Sequence, residues 1–260
     1  MCFTMHLIIS SRSDPASLSM LSYLTEKYTF TEKNGVMNHG DFDLLIIEDR
    51  HIFHDMSLSG RYDYAVVLSR HSSAANIRSL TAHPTGNFGP TADLGGKPRT
   101  INISCPVVMS GTLRRMMELY SGDKFEVTFE ATHHGPLFDI PNYYVEIGTT
   151  ENEWNDPDAL RVTVDSVMNP DIRSYDNFVG VGGGHYAPKI KQYFKENSVN
   201  IGHIISKHDH DTLEPWEIDM AVKKTPGCKG FIMDRKGTRG SVRDMIKKYA
   251  DENSLELISI

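Results

Sequence analysis

Short apolar runs alternate along this chain with amphipathic stretches, so the residue period switches repeatedly between that of a strand and that of a helix. His6–Ser10 reads as a first strand, after which Asp14-Pro15 supplies an N-cap and a first-turn proline for a helix to about Tyr28. Asp43–Glu48 and Tyr64–Ser69 are continuous apolar runs of the kind found in strands covered on both faces. Residues 71–100 carry Pro, Gly, Asn, Thr and Ser with little periodicity and read as one long loop, a feature that usually serves function. Thr112–Tyr120 predicts a helix, and Phe125–Thr132 and Tyr143–Gly148 predict strands on either side of the turn His134-Gly135-Pro136. Asp156-Pro157 starts a helix to about Val167. The remainder reads as strand Phe178–Val181, helix Lys189–Glu196, strand Ile201–Ser206, helix Trp216–Lys224 and strand Gly230–Asp234. A last helix is capped by Ser241 with Asp244, and Leu255–Ile260 closes as a strand. The expected fold is α/β, a mixed, largely parallel sheet covered by helices. With no repeat or linker, residues 1–260 read as a single domain.

Composition narrows the class. Apolar residues make up 39% and charged residues 23% of the 260 positions, the balance of a chain that buries a real core. No apolar run has the length of a membrane span, and the first residues lack the basic and apolar regions of a signal peptide, so a cytoplasmic location is expected. Cys2, Cys105 and Cys228 are odd in number and contain no CxxC pair, which argues against a disulfide framework or a thiolate zinc site. Net charge is −7, but it is unevenly spread. Between Lys223 and Lys248 nine Lys/Arg face two acids, a local balance of +7 that leaves −14 for the rest. Such a segment suits phosphate contact or simply two solvated helices.

Twelve histidines raise the question of chemistry. Several sit beside turn residues at expected strand ends, where open α/β sheets form their binding crevices: His71, His83, His133, His134, His185 and His203. Adjacent strand residues face opposite ways, so His133 and His134 can share one target only if the strand has broken before Gly135-Pro136. Gly182-Gly183-Gly184 before His185 permits close approach of a ligand to free N–H groups, or else is only a tight turn. It is not a P-loop, because no Gly-Lys-Ser/Thr follows, and neither HExxH nor GxSxG occurs. A metal site would have to be assembled from distant loops. His208 and His210 lie in an acidic stretch that reads as solvated.

Six of these clusters, taken in order, resemble the archaeal and plant type of D-aminoacyl-tRNA deacylase. They are Ser-Arg-His-Ser-Ser (69–73), Thr-Ala-His-Pro-Thr-Gly-Asn (81–87), Thr-His-His-Gly-Pro (132–136), Val-Glu-Ile-Gly-Thr-Thr (145–150) with Trp154, Gly-Gly-Gly-His-Tyr-Ala-Pro (182–188) and Gly-His-Ile-Ile (202–205). The similarity runs over essentially the whole chain; one departure is Ser206-Lys207-His208, where the pattern has a proline and an aromatic. The resemblance implies a zinc-containing α/β hydrolase with a phosphorylase or peptidyl-tRNA hydrolase-like core, and nothing in the sequence demands more than a monomer. Its reaction would be hydrolysis of the ester joining a D-amino acid to the 3′ end of tRNA, a step of translation quality control.

Ester hydrolysis needs an activated water, a stabilised oxyanion and a chirality-selective pocket. A zinc ion lowers the pKa of its water to about 7, and a neutral histidine base contributes on the order of 10²–10⁴-fold. The expected catalytic residues are His133, His134, His185 and Glu146, and the expected Zn2+ ligands are His83, His133 and His203. Substrate contacts are placed at Thr85, Asn87 and the backbone of Gly182, Gly183 and Gly184. Contacts to tRNA phosphates are placed at Lys223, Lys224, Arg239, Lys247 and Lys248, with Lys189, Lys191 and Lys195 in reserve. Two rivals remain: a metal-dependent hydrolase or phosphorylase of a small nucleoside-like substrate, and a non-catalytic RNA-binding module. Neutralising the Lys223–Lys248 cations would leave the first unaffected, and removing the histidines would leave the second binding RNA.

Overall fold

The structure is a computed structural model that describes residues 5–33, 35–72 and 76–260. Cys2, and Ser73 of the first histidine cluster, lie outside the described residues. Strand β1 (His6–Ser11) leads to helix α1 (Pro15–Lys27), whose N-cap Asp14 accepts the Ser17 N–H at 2.9 Å, as Asp-Pro predicts. A hairpin of β2 (Thr31–Lys33) and β3 (Val36–His39) precedes β4 (Phe42–Ile47), and β5 spans Tyr64–His71. Inside the stretch read as one loop lie β6 (Ser79–His83), the short β7 (Gly86–Asn87) and β8 (Thr100–Ile101). That expectation is corrected: Ser-Leu-Thr-Ala-His is too short to show a period, yet all five residues are buried. Helix α2 (Pro106–Leu119), β9 (Glu126–Phe129) and β10 (Asn142–Gly148) follow. Then come α3 (Glu151–Trp154), α4 (Pro157–Met168), β11 (Asp176–Val181), α5 (Pro188–Glu196) and β12 (Val199–Ile205). Helix α6 (Pro215–Lys223), β13 (Cys228–Met233), α7 (Gly240–Asn253) and β14 (Glu256–Ser259) complete the chain.

The larger sheet has the order β2-β3-β4-β1-β5-β10-β6-β9, parallel from β4 through β10 apart from the hairpin edge, with β6 antiparallel to β10. The smaller sheet, β12-β11-β13-β14, is parallel throughout. The fold is therefore mixed, largely parallel α/β, as the pattern predicts. One hydrophobic cluster draws Val66, Leu80, Phe129, Tyr143 and Val145 from the larger sheet and Phe178, Ile201, Ile204 and Ile232 from the smaller, so the two sheets share a core. The opposite face of the smaller sheet packs Val179, Val181 and Phe231 against Ile218 of α6 and Val242 and Ile246 of α7. No helix among the described residues is long and apolar enough to cross a membrane.

Strand alternation aims the functional side chains. In β10, Tyr143, Val145 and Ile147 enter the shared core, which turns Tyr144 and Glu146 to the other face. The register pairs Glu146 with Ser69 and Thr81, and Tyr144 with His83. His71 and His83, two residues along their strands from Ser69 and Thr81, therefore emerge on the face that carries Glu146.

Candidate active site

Strand β9 stops at Phe129 and the chain bends toward the smaller sheet, where Ala131 N–H donates to His185 O at 2.7 Å and Thr132 N–H to Ile204 O at 3.0 Å. His134 then adopts a left-handed φ of 46°, a conformation a non-glycine residue holds only when its surroundings dictate it. The strand is thus broken where the His-His pair requires, and the two rings lie 4.4 Å apart rather than on opposite faces. The His83 ring lies 4.2 Å from that of His133, tilted by 33°, and His185 lies 4.6 Å from it. The result is a nest of His71, His83, His133, His134 and His185 around Glu130 and Glu146, at the floor of a cleft of about 450 Å³.

Both carboxylates are buried, Glu130 at 0% and Glu146 at 2% exposure, and their ionic partners among the described residues are all histidines. His71 Nδ1 bridges them at 3.1 Å from Glu130 and 3.4 Å from Glu146, and its Nε2 lies 2.8 Å from the Tyr186 hydroxyl. Burial opposes charge on His71, but the two carboxylates outweigh it and push the imidazole up to about 11. Burial likewise opposes a proton on His83, which Glu146 nevertheless raises. Burial and then the neighbouring His83 hold His133 far below the ordinary histidine range; burial also lowers His134, against the pull of Glu146. Glu130 resists burial and the repulsion of Glu146, and Glu146 resists burial; both stay well below the usual carboxylate range because the surrounding imidazoles, His71 foremost among the charged ones, favour their ionised form.

Three of the histidines have fixed tautomers. His83 Nδ1 faces Pro84 O at 3.1 Å, His133 Nδ1 faces Ala131 O at 2.8 Å and His134 Nδ1 faces Gly135 O at 2.5 Å. A carbonyl only accepts, so each Nδ1 carries the proton and each Nε2 points at the others, the arrangement that metal-binding histidines adopt. Their ligand atoms converge within 4.8 Å, as do those of His71, Glu130 and His185, and of His83, Glu130 and Glu146. His83 Nε2 is buried without a hydrogen-bond partner, while Glu130 Oε1 has His71 Nδ1 at 3.1 Å as its ionic partner. An orphaned imidazole nitrogen beside two buried carboxylates, of whose charge His71 offsets only one, is what a cation would satisfy. The zinc ion implied by the sequence resemblance fits these residues.

Other expectations need correction. His203 is buried, but Nε2 donates to Asn102 O at 3.0 Å and Nδ1 lies 3.0 Å from the Thr132 hydroxyl, so no lone pair is left for a metal. Gly182 N–H donates to Ile205 O and Gly183 N–H to Gly237 O, so neither is free for an anion, while Gly184 O accepts the Ala187 N–H. A Cβ on Gly182 would lie 2.2 Å from Thr238 Oγ1, which makes the glycine a packing requirement. Thr85 is fully buried and bonded to Asn142 and Asn102, and Asn87 braces the carbonyls of Gly95 and Lys97; neither lines the cleft. The capping box of Ser241 and Asp244 does not form: Arg239 is the N-cap and makes no side-chain cap bond.

The basic residues are split by the topology. Helices α6 and α7 start at the edge of the smaller sheet where β11 delivers His185, and run back behind it. Arg239, paired with Asp211, lies at that edge; Lys223 and Lys224 lie at the far end, where Lys223 pairs with Asp219. Lys247 and Lys248 fall midway along α7, with Lys248 near Glu252.

Glu130 was missed by the sequence reading. It falls inside the predicted strand Phe125–Thr132, although an acid on an apolar strand three residues before a His-His pair is a legible signal.

Comparison places this geometry among known proteins. The profile of the D-aminoacyl-tRNA deacylase family matches residues 58–258. The D-aminoacyl-tRNA deacylase of Thermoplasma acidophilum is 87% identical over 256 residues, spanning 98% of this chain and 100% of its own. That of Pyrococcus furiosus is 32% identical over 98% of this chain and 99% of its own. A crystal structure described as a conserved protein of unknown function superposes with a TM-score of 0.90 at 29% identity, covering 98% of this chain and 95% of the other. The chain belongs to the D-aminoacyl-tRNA deacylase family.

Proposed function

We propose that the histidine–carboxylate nest is where the ester of a D-aminoacyl-tRNA is hydrolysed, with a zinc ion held by His83, His133 and His134. The observation that carries this reading is the pair of buried carboxylates whose ionic partners, among the described residues, are imidazoles alone, beside three Nε2 lone pairs turned toward one another. Bound there, zinc supplies Lewis acidity that eases deprotonation of water near neutral pH. Glu146, 3.6 Å from His83 Nε2 and 3.8 Å from His134 Nε2, adds a negative field that favours a cation among those donors. His185 is the general base: its Nε2 donates to Glu130 at 2.7 Å, which leaves Nδ1 to take the proton of the attacking water. Glu130 fixes the ring and stabilises the imidazolium, the part a carboxylate plays behind a catalytic histidine. His185 stands one-third open to the cleft, so substrate reaches it. His71, held charged by Glu130 and Glu146, offsets part of their charge and through Nε2 fixes the Tyr186 hydroxyl beside the nest.

Zinc content and turnover of two variants test the assignment. His83→Asn should lose bound zinc and slow release of D-tyrosine from D-Tyr-tRNA by about 100-fold or more, since a first ligand is gone. His203→Gln should keep its zinc. Wild-type turnover from His83→Asn, or from zinc-free protein, would contradict the proposal.

A further inference from the structure

Two large apolar side chains stand exposed by the cleft: Leu94, which lines it, at 53%, and Phe53, next to the lining residue Ile52, at 54%. Phe53 ends a short 3-10 turn, His51–Phe53, whose first two residues are buried. The loop carrying Leu94 closes against that turn: a Cβ on Gly95 would lie 1.7 Å from Ile52 O and 3.2 Å from the Phe53 ring. Gly135 N–H donates to Leu94 O at 3.1 Å, which ties the rim to the residue after His134. The Arg50 guanidinium lies 5.3 Å from the Phe53 ring centre and, among the described residues, has no carboxylate partner. Arg70, on the strand that ends in His71, lines the same cleft and rests over the Trp154 ring.

Single exposed apolar residues are ordinary on protein surfaces. A fixed pair of them beside an unpaired arginine, at the mouth of a cleft with ionisable catalytic groups at its floor, is a different arrangement. It matches an unpaired nucleotide, whose base stacks on an apolar or aromatic face while its phosphate meets a guanidinium. The ester-bearing ribose must reach the nest, so the base of that nucleotide is left at the rim. We propose that Phe53 and Leu94 form the stacking platform for the 3′-terminal adenine of tRNA, and that Arg50 contacts the phosphate preceding it. This rests on reading the nest as the site of ester hydrolysis. It places recognition of the tRNA end at the cleft mouth, apart from the basic helices behind the smaller sheet.

The test is binding of a short fluorescent RNA ending in CCA, followed by anisotropy, with turnover measured in parallel on D-Tyr-tRNA and on D-tyrosine methyl ester. Phe53→Ala should weaken RNA binding about 5- to 100-fold, the range set by one stacked base, and Phe53→Trp should restore it. Arg50→Gln should weaken binding and lower its salt dependence by roughly one charge. An RNA lacking the terminal base should bind wild-type protein weakly, and Phe53→Ala should weaken it no further. Hydrolysis of the methyl ester, which has no base to stack, should be unchanged in Phe53→Ala. Equal binding by wild type and Phe53→Ala, or a further loss with the base-free RNA, would overturn the platform. Absence of wild-type turnover on D-Tyr-tRNA would instead sink the reading of the nest, because anisotropy reports on the platform without catalysis.

Discussion

His203 and His83 are both fully buried histidines near the end of a strand, and their hydrogen bonds separate their roles. His203 donates through Nε2 to one carbonyl and meets a hydroxyl at Nδ1, so its lone pair is used inside the fold. His83 donates through Nδ1 and leaves Nε2 unsatisfied in the nest. Burial lowers the His203 imidazole to about 3, against about 6.5 in an unfolded chain. The folded state therefore stays neutral while the unfolded state gains a proton, and the stability contributed by His203 is complete above pH ~6.5 and lost as pH falls from there toward 3. The loss is on the order of a few kcal/mol for a group held this far from its ordinary value. Urea midpoints at pH 7 and pH 4.5 should separate more in wild type than in His203→Gln; equal separations would contradict the assignment. At this scale most of the nest was legible, since His83, His133, His134 and His185 all stand beside turn residues in the sequence and Glu146 lies near the end of a predicted strand. His203 was misread because spacing does not reveal which ring nitrogens a fold consumes.

Among the elements, the strand-to-helix turn after β11 shows how one pattern supports two readings. Three glycines before a histidine suggest an anion cradle, but Gly182 and Gly183 spend their N–H groups on Ile205 and Gly237. Gly182 has a φ of 92° and no room for a Cβ against Thr238. Gly182→Ala should therefore cost stability, about 1–3 kcal/mol from the backbone conformation alone, with turnover of the folded protein within about threefold of wild type. A variant of unchanged denaturation midpoint and lost turnover would restore the anion-cradle reading. The helices and buried strands were readable because Asp-Pro starts and continuous apolar runs are local signals, as in α1, α4 and β5. Strand β6 and the hairpin of β2 and β3 were not. The first is five mixed residues made into a strand by burial between β10 and β9; the second is an exposed edge with little apolar content.

The whole molecule matters because no single sheet holds the site. His71, His83 and Glu146 come from strands of the larger sheet, Glu130, His133 and His134 from the segment that leaves β9, and His185 from the end of β11 in the smaller one. The shared core fixes the distance between the sheets, and the hydrogen bonds from Ala131 and Thr132 carry that register into the nest. The basic segment was visible as a charge asymmetry, but its division between the cleft edge and the far end depends on how α6 and α7 return along the sheet. The measurement that bears most directly on the central claim is release of labelled tyrosine from D-Tyr-tRNA and L-Tyr-tRNA, with and without a chelator. The account predicts rapid loss of the D-ester alone, abolished by the chelator and restored by added zinc. Equal loss of both esters, or release of the D-ester undiminished by the chelator, would contradict it.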